Sequence, residues 1–246
     1  MTRASAPSGL VSAFAAPVGL VGAALAYVLV APSLPELRPP ELSALVASAI
    51  GLAFVVGIVA CIVPLADAKL ALVPAIAGVG IFVAAVDANG VAAGATPLEI
   101  VLFGLVGIAF AVLLDTPLLA LALPLFVAAI DIGQAASGGS AGLFALSPTK
   151  PGDFLTLDLP DWGNGLAAAR LNAAHVVFLA AFATYARRLP LREHAALVGM
   201  LVGLLVAAAC DILLDTNLPA LALVAAGYLV PNVDRFKPLL ARARGG

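Results

Sequence analysis

The sequence predicts an all-α protein with about eight transmembrane helices and a short β-hairpin or strand in one extramembrane loop. Hydrophobic residues make up 63% of the 246-residue chain and charged residues only 11%, against about 45–50% and 25% in soluble domains. The mean hydropathy is +1.14. A soluble fold of this length cannot bury so much apolar surface. Apolar segments of about 20 residues, the length that crosses a bilayer, recur along the whole chain.

Charge and cysteine content exclude several functional classes. The net charge is −2 and the isoelectric point about 5.6, so the chain has no basic field that would attract nucleic acid. Cys61 and Cys210 lie inside apolar runs, where we expect them to pack as small buried residues rather than form a disulfide. No thiolate–histidine spacing typical of zinc occurs. The sequence therefore predicts no metal, no cofactor and the lipid bilayer as the main partner, and it leaves the oligomeric state open.

Proline, glycine and charged residues divide the chain into eight apolar segments. The first is too long, and too weakly charged at its start, for a cleaved signal peptide. Only residues 66–69 connect the second and third segments, so we expect these two helices to form a tight hairpin. Thr116 is positioned to cap a helix that begins with Pro117. The segments are 9–31, 42–64, 70–87, 98–114, 117–136, 171–187, 194–214 and 218–233.

The distribution of lysine and arginine predicts the orientation. With a cytoplasmic N-terminus and eight spans, nine basic residues fall on the inner side and three on the outer side, as the positive-inside rule requires. We therefore expect a multi-pass integral membrane protein with both termini in the cytoplasm. The inner residues are Arg3, Lys69, Arg187, Arg188, Arg192, Arg235, Lys237, Arg242 and Arg244, and the outer ones Arg38, Lys150 and Arg170.

One long break separates two membrane regions. The N-terminal five-helix region covers 1–136, an extramembrane loop 137–170, and a three-helix region with a basic tail 171–246. Within the loop, residues 154–159 alternate apolar and polar side chains, which predicts a strand. Residues 161–165 read as a turn, and Trp162 suits the headgroup interface. Such a strand either pairs with an extended peptide or forms a lid without a ligand.

Three ionisable residues near the predicted outer ends of helices are candidates for function, because charge inside a membrane is costly. Asp131 lies about 9 Å inside the end of the fifth segment. His175 opens the sixth segment at a similar depth, and Asp211 ends the seventh. Asp215 is more typical of a helix-end cap, and His194 of a solvated position beside Arg192 and Glu193.

The order of these residues resembles the presenilin and signal peptide peptidase family of intramembrane aspartyl proteases. That family carries Tyr-Asp in one helix, Gly-x-Gly-Asp at the start of the next, and Pro-Ala-Leu at the start of its last helix. Here Ile130-Asp131 stands at the first motif, 172–175 with His175 at the second, and Pro219-Ala220-Leu221 matches the third in full. The resemblance covers about residues 117–233 and implies a presenilin-like fold.

The resemblance implies a protein that binds or cleaves transmembrane-helix substrates. It places Asp131 and His175 in the catalytic pair and Pro219, Ala220 and Leu221 at the substrate. An aspartyl protease needs two carboxylates that share one proton, and His175 replaces the second one. Three interpretations stay open: an inactive protein that binds substrate helices, a variant pair with His175 as base, or Asp211 in place of the missing carboxylate.

A repeated segment favours a competing class, a small-solute transporter or permease. Residues 113–123 and 213–223 are identical at 9 of 11 positions, and the predicted threading runs them in opposite directions. Inverted repeats with binding groups near broken helices are typical of transporters.

Overall fold

The structure is a computed structural model that describes residues 8–89, 92–137, 155–160, 162–163 and 167–244. Within these ranges six helical segments are long and apolar enough to cross a membrane, which supports a multi-pass, mainly helical membrane protein. The remaining predicted segments, the sixth and the eighth, form shorter helices. The six are Ala15–Ser33, Pro40–Asp67, Lys69–Ala88, Ala95–Leu113, Pro117–Ala136 and Glu193–Leu214.

The helices follow the apolar segments in order. Thr116 caps α5 as predicted, since its hydroxyl accepts the amide N–H of Leu119 at 3.2 Å. Short 3₁₀ turns extend α1, α2 and α8. The helices are α1 Ser8–Val30, α2 Pro40–Ile62, α3 Lys69–Ala88, α4 Ala92–Leu113, α5 Pro117–Ala136, α6 Ala173–Arg188, α7 Glu193–Leu214, α8 Ala220–Leu229 and α9 Val233–Arg244.

The centre of the bundle is α6, which is enclosed on all sides. Every residue from 179 to 186 is buried, and α4 packs along its length. A helix that is apolar all round belongs in the interior. In contrast, α3 and α5 expose large apolar side chains such as Phe82 and Phe126, as expected of helices that face lipid.

The pair α7 and α8 packs more closely than any side chain larger than hydrogen would allow. A Cβ atom on Gly227 would overlap the carbonyl group of Gly199, and a Cβ on Gly199 would overlap that of Gly227. Small residues bring helix backbones together in this way in membrane proteins. This contact fixes the position of α8, the shortest helix of the bundle.

A two-stranded antiparallel sheet, β1 Thr156–Pro160 and β2 Ala167–Asn172, lies where the alternating pattern predicts a strand. Its side chains Leu157, Leu159 and Leu171 are buried. Leu159 packs onto Gly51 of α2, where an added Cβ would lie 3.1 Å from Leu159 Cδ1. The hairpin therefore packs between helices and is part of the core. The predicted start of the strand, residue 154, and most of the turn at 161–165 lie outside the described residues.

Candidate functional site

The site is built around Asp131, a half-buried carboxylate on α5. Five residues separate it from the end of the helix at Ala136, which corresponds to a depth of about 8 Å along the axis. The neighbouring side chains Ile130 and Ile132 are exposed and suited to lipid. Asp131 instead has a protein partner on α8.

That partner is a backbone group. The amide N–H of Ala222 donates to Oδ2 of Asp131 at 3.1 Å. Ala222 is the third residue of α8, and Pro219, the residue before the helix, provides no capping side chain. Helix N-termini carry unpaired N–H groups and a partial positive charge. The α5 carboxylate therefore caps α8 from outside and joins Asp131 to the segment Pro219-Ala220-Leu221.

The chain before α8 is not helical. Residues 215–219 link α7 to α8 without regular structure, and Asp215 caps α7 in the left-handed region with φ 49°. Thr216 donates its hydroxyl to the carbonyl of Leu214 at 3.0 Å. These two residues are helix-end caps, as the sequence predicts. The arrangement leaves a non-helical link of five residues, 215–219, in front of the helix whose amide binds Asp131.

His175 lies in the first turn of α6. Asn172 caps that helix, accepting the N–H of Ala174 at 2.9 Å. The Nδ1 atom of His175 lies 3.2 Å from the carbonyl oxygen of Asn172. A carbonyl only accepts, so Nδ1 is the donor in this contact. The Asp131 carboxylate acts electrostatically on this imidazole, although no hydrogen bond joins the two side chains within the described ranges.

The other predicted residues lie on adjacent elements. Asp211 is half-buried in the last turn of α7, the helix that packs against α8. Leu221 is half-buried in the first turn of α8 and Ala220 is buried. The structure thus brings Asp131 to the start of α8, places His175 within electrostatic reach, and positions Asp211 on the helix that precedes α8.

Sequence reasoning missed one acidic residue, Glu99 of α4. Only 7% of it is exposed, and the part of the chain that the structure describes gives its carboxyl no hydrogen bond or ion pair. The carboxylates of Asp87 and Asp158 act on it electrostatically. Arg170 pairs with Asp158 at 3.1 Å, and Thr96, one turn before Glu99, donates to the carbonyl of Asp158 at 3.3 Å. The signal in the sequence was an acid inside an apolar run.

We expect Glu99→Gln to raise the free energy of unfolding by about 1 kcal/mol, because it replaces a buried carboxyl that interacts electrostatically with two other carboxylates by a neutral side chain. Unfolding with sodium dodecyl sulfate in mixed micelles measures the change. Glu41→Gln, at an exposed position in the first turn of α2, is the matched control and should change stability by less than about 0.5 kcal/mol. A loss of stability in Glu99→Gln would contradict the prediction.

Among the described residues, no group of three or more His, Cys, Asp or Glu side chains is arranged to hold a metal ion. Cys61 and Cys210 are half-buried free thiols. The arrangement at Asp131 offers a carboxylate and an imidazole as its chemistry.

Comparison with known proteins identifies no relative. No family model matches this chain, and neither a curated protein nor a solved structure matches it.

Proposed function

We propose that this protein binds the transmembrane helix of a second protein, locally unwound, at the site formed by Asp131 and the start of α8. The observation that carries the proposal is the 3.1 Å hydrogen bond between Asp131 and the Ala222 amide. It supports the arrangement implied by the resemblance to presenilins and signal peptide peptidases, in which Pro-Ala-Leu lies beside an aspartate. Binding of a substrate would then use Asp131, the Pro-Ala-Leu segment and the short helix α8 together.

The non-helical link 215–219 in front of α8 suggests the binding mode. Inside a bilayer every peptide group needs a partner, and an extended peptide satisfies such groups by adding main-chain hydrogen bonds, as in strand addition. A substrate that unwinds beside α8 would gain partners there. Leu221 and Pro219 would contact its side chains, while Asp131 and His175 would face its peptide groups.

Binding without hydrolysis is the form of this function that the residues favour. Cleavage by two aspartates needs one protonated and one ionised carboxyl. Here Asp131 is engaged by the α8 amide, and its neighbour at the second position is an imidazole. His175 as base and Asp211 as the second carboxylate are the two alternatives that would permit cleavage.

Photocrosslinking in proteoliposomes tests the proposal. Benzoylphenylalanine at position 221 should crosslink a reporter single-span peptide, whereas the same group at position 118, exposed at the opposite end of α5, should crosslink mainly lipid. We expect a difference of at least about tenfold, equivalent to about 1.4 kcal/mol of preferential contact. Asp131→Leu, which removes the cap of α8, should abolish the preference. Equal yields at 221 and 118 would contradict the proposal.

The same samples test cleavage by mass spectrometry of the reporter. We expect the intact peptide with the natural sequence and cleavage products with His175→Asp, which supplies a second carboxylate. Asp131→Asn in the His175→Asp background should remove the products. Products from the natural sequence would show that His175 or Asp211 completes a catalytic pair.

A transporter is the second candidate, and the structure offers one observation in its favour. The two copies of the repeat, 113–123 and 213–223, lead into α5 and α8, which pack against each other. A ten-residue helix that begins beside a carboxylate is typical of the broken helices in transporters. Proton or solute flux in liposomes that disappears with Asp131→Asn, together with no crosslinking at 221, would favour this candidate.

The membrane topology completes the proposal. Helix α6, and α8 together with the 3₁₀ turn that follows it, would be the two further segments that bring the number of crossings to eight. Both termini would then lie in the cytoplasm, in keeping with the positive-inside distribution. Cysteine labelling from either side of the membrane measures this orientation.

A further inference from the structure

The C-terminal helix α9 has a composition unlike the rest of the chain. Its twelve residues read VDRFKPLLARAR, and four of them are lysine or arginine. On a helical wheel the apolar residues form one face, and the basic positions flank it on both sides. The basic pair Arg235 and Lys237 is followed seven residues later by a second basic pair, Arg242 and Arg244. This pattern is typical of helices that lie in the plane of a membrane surface.

The apolar face of α9 is fixed to the protein. Phe236 and Leu239 are buried, and the ring of Phe236 meets that of Tyr228 edge-on with centroids 6.0 Å apart. Asn232, just before the helix, accepts the amide N–H of Arg192 at 2.7 Å and donates to the carbonyl of Tyr228 at 2.8 Å. The helix is therefore held in one orientation against α5, Tyr228 of α8 and Arg192 in front of α7.

The one acidic residue of α9 is already neutralised. Arg192 donates from Nη1 and Nη2 to the two oxygens of Asp234 at 2.7 and 2.9 Å. These bonds hold the pKa of the Asp234 carboxyl below its ordinary value. The ion pair is lost only as the pH falls through that lowered pKa. The Nε atom of Arg235 lies 3.8 Å from the same carboxylate, too far for a hydrogen bond.

This end of the bundle lies opposite the hairpin. Most of its other acidic residues also form ion pairs with arginine. Asp67 pairs with Arg187 at 3.1 Å, and Asp115 pairs with Arg188. Four acidic and eight basic residues of the described chain lie at this end, so the excess charge is positive. They are Asp67, Asp115, Glu193 and Asp234, with Lys69, Arg187, Arg188, Arg192, Arg235, Lys237, Arg242 and Arg244.

We infer that the exposed side of α9 binds the phosphate groups of anionic lipids at the membrane surface. Arg235 and Lys237 are exposed, and the end of the bundle to which they belong carries net positive charge. The buried Phe236 and Leu239 hold the helix to the protein, so its basic residues are presented to headgroups without an ordering step. Clusters of basic residues next to a spanning helix attract anionic headgroups in this way.

Lipid retention in nanodiscs tests this inference. The protein is reconstituted in phosphatidylcholine with phosphatidylglycerol at one part in four, and native mass spectrometry counts the lipids that remain bound. We define the enrichment as the ratio of bound phosphatidylglycerol to bound phosphatidylcholine divided by the same ratio in the bilayer, and we expect it to be well above one. Arg235→Gln with Lys237→Gln should lower the enrichment about fivefold or more, on the contribution expected of each basic side chain near a membrane surface.

Two further variants separate the inference from a general charge effect. Arg38→Gln removes a positive charge at an exposed position at the opposite end of the bundle and should leave the enrichment unchanged. The exchange Arg235→Lys with Lys237→Arg keeps the charge and should therefore keep the enrichment of phosphatidylglycerol. Unchanged enrichment in the double glutamine variant would overturn the inference. So would loss of bound lipid on adding millimolar inorganic phosphate at constant ionic strength, since the site would then take free phosphate.

Discussion

Gly227→Ala is expected to lower the free energy of unfolding by about 3 kcal/mol or more. Its Cβ would overlap the backbone of Gly199 and approach that of Met200, and backbone cannot move aside as a flexible side chain does. The helices α7 and α8 would have to separate, at the upper end of the cost of overpacking. Because α8 carries the amide that binds Asp131, crosslinking at position 221 should fall in the same variant.

Gly133→Ala is the matched control for this prediction. Gly133 lies on α5, two residues from Asp131, and a Cβ there would have nothing within 4 Å. Alanine is the better helix former by about 0.5–1 kcal/mol, so this variant should be as stable as the natural protein or more so. Titration with sodium dodecyl sulfate in mixed micelles measures both. Equal losses in the two variants would show that the close contact between α7 and α8 does not determine the stability.

The sequence locates most of the helices closely but misplaces the start of α4 and the end of α8. Hydropathy and length locate α2, α3, α5 and α7 to within a few residues, because each must cover about 30 Å of hydrocarbon. The segment 218–233 is as apolar as these, yet its helix ends at Leu229, where Pro231 and Asn232 begin a 3₁₀ turn. A helix enclosed by protein can be short, and hydropathy does not distinguish protein from lipid surroundings.

The missed residue Glu99 has a related physical explanation. Pro97 is a signal for a helix start, so the sequence places the beginning of the fourth segment at 98 and Glu99 at its polar end. The helix in fact begins at Ala92, with Pro97 inside it. About one and a half further turns in front of Pro97 place Glu99 in the buried part of α4. Proline usually occurs in the first turn of a helix, because the N–H group that it lacks would have no partner there. In α4 the packing of the bundle overrides this preference.

The sequence pointed to the residues of the candidate site but not to the contacts between them. The order of Asp131, His175 and Pro219-Ala220-Leu221 pointed to one region. The atom that binds Asp131 is the backbone N–H of Ala222, and since every residue but proline has that group, no sequence pattern marks it. The position of Asp131 within the bundle is explained by the start of a helix rather than by a second side chain.

Arg188→Ala is expected to cost about 2 kcal/mol of unfolding free energy. Its Nε donates to Asp115 at 2.9 Å and its Nη1 to the carbonyl of Ala66 at 3.3 Å, so one side chain ties the end of α6 to the loop before α5 and to the turn after α2. Removing one partner of a buried ion pair costs about 3–5 kcal/mol. The exposed fractions of 18% and 28% reduce the expected cost.

Arg187, the preceding residue, supplies the comparison that isolates burial. It pairs with Asp67 at 3.1 Å and lies 3.7 Å from Glu193, but Asp67 is 62% and Arg187 33% exposed, and exposed pairs contribute about 0–1 kcal/mol. Arg187→Ala should therefore cost about 0.5 kcal/mol in the same micelle titration. In a double-mutant cycle, Arg188 and Asp115 should show a coupling above about 1 kcal/mol, since the two charges interact in a water-poor setting. Equal costs for Arg187→Ala and Arg188→Ala, or a coupling near zero, would mean that packing of the arginine stem alone holds this end of α6.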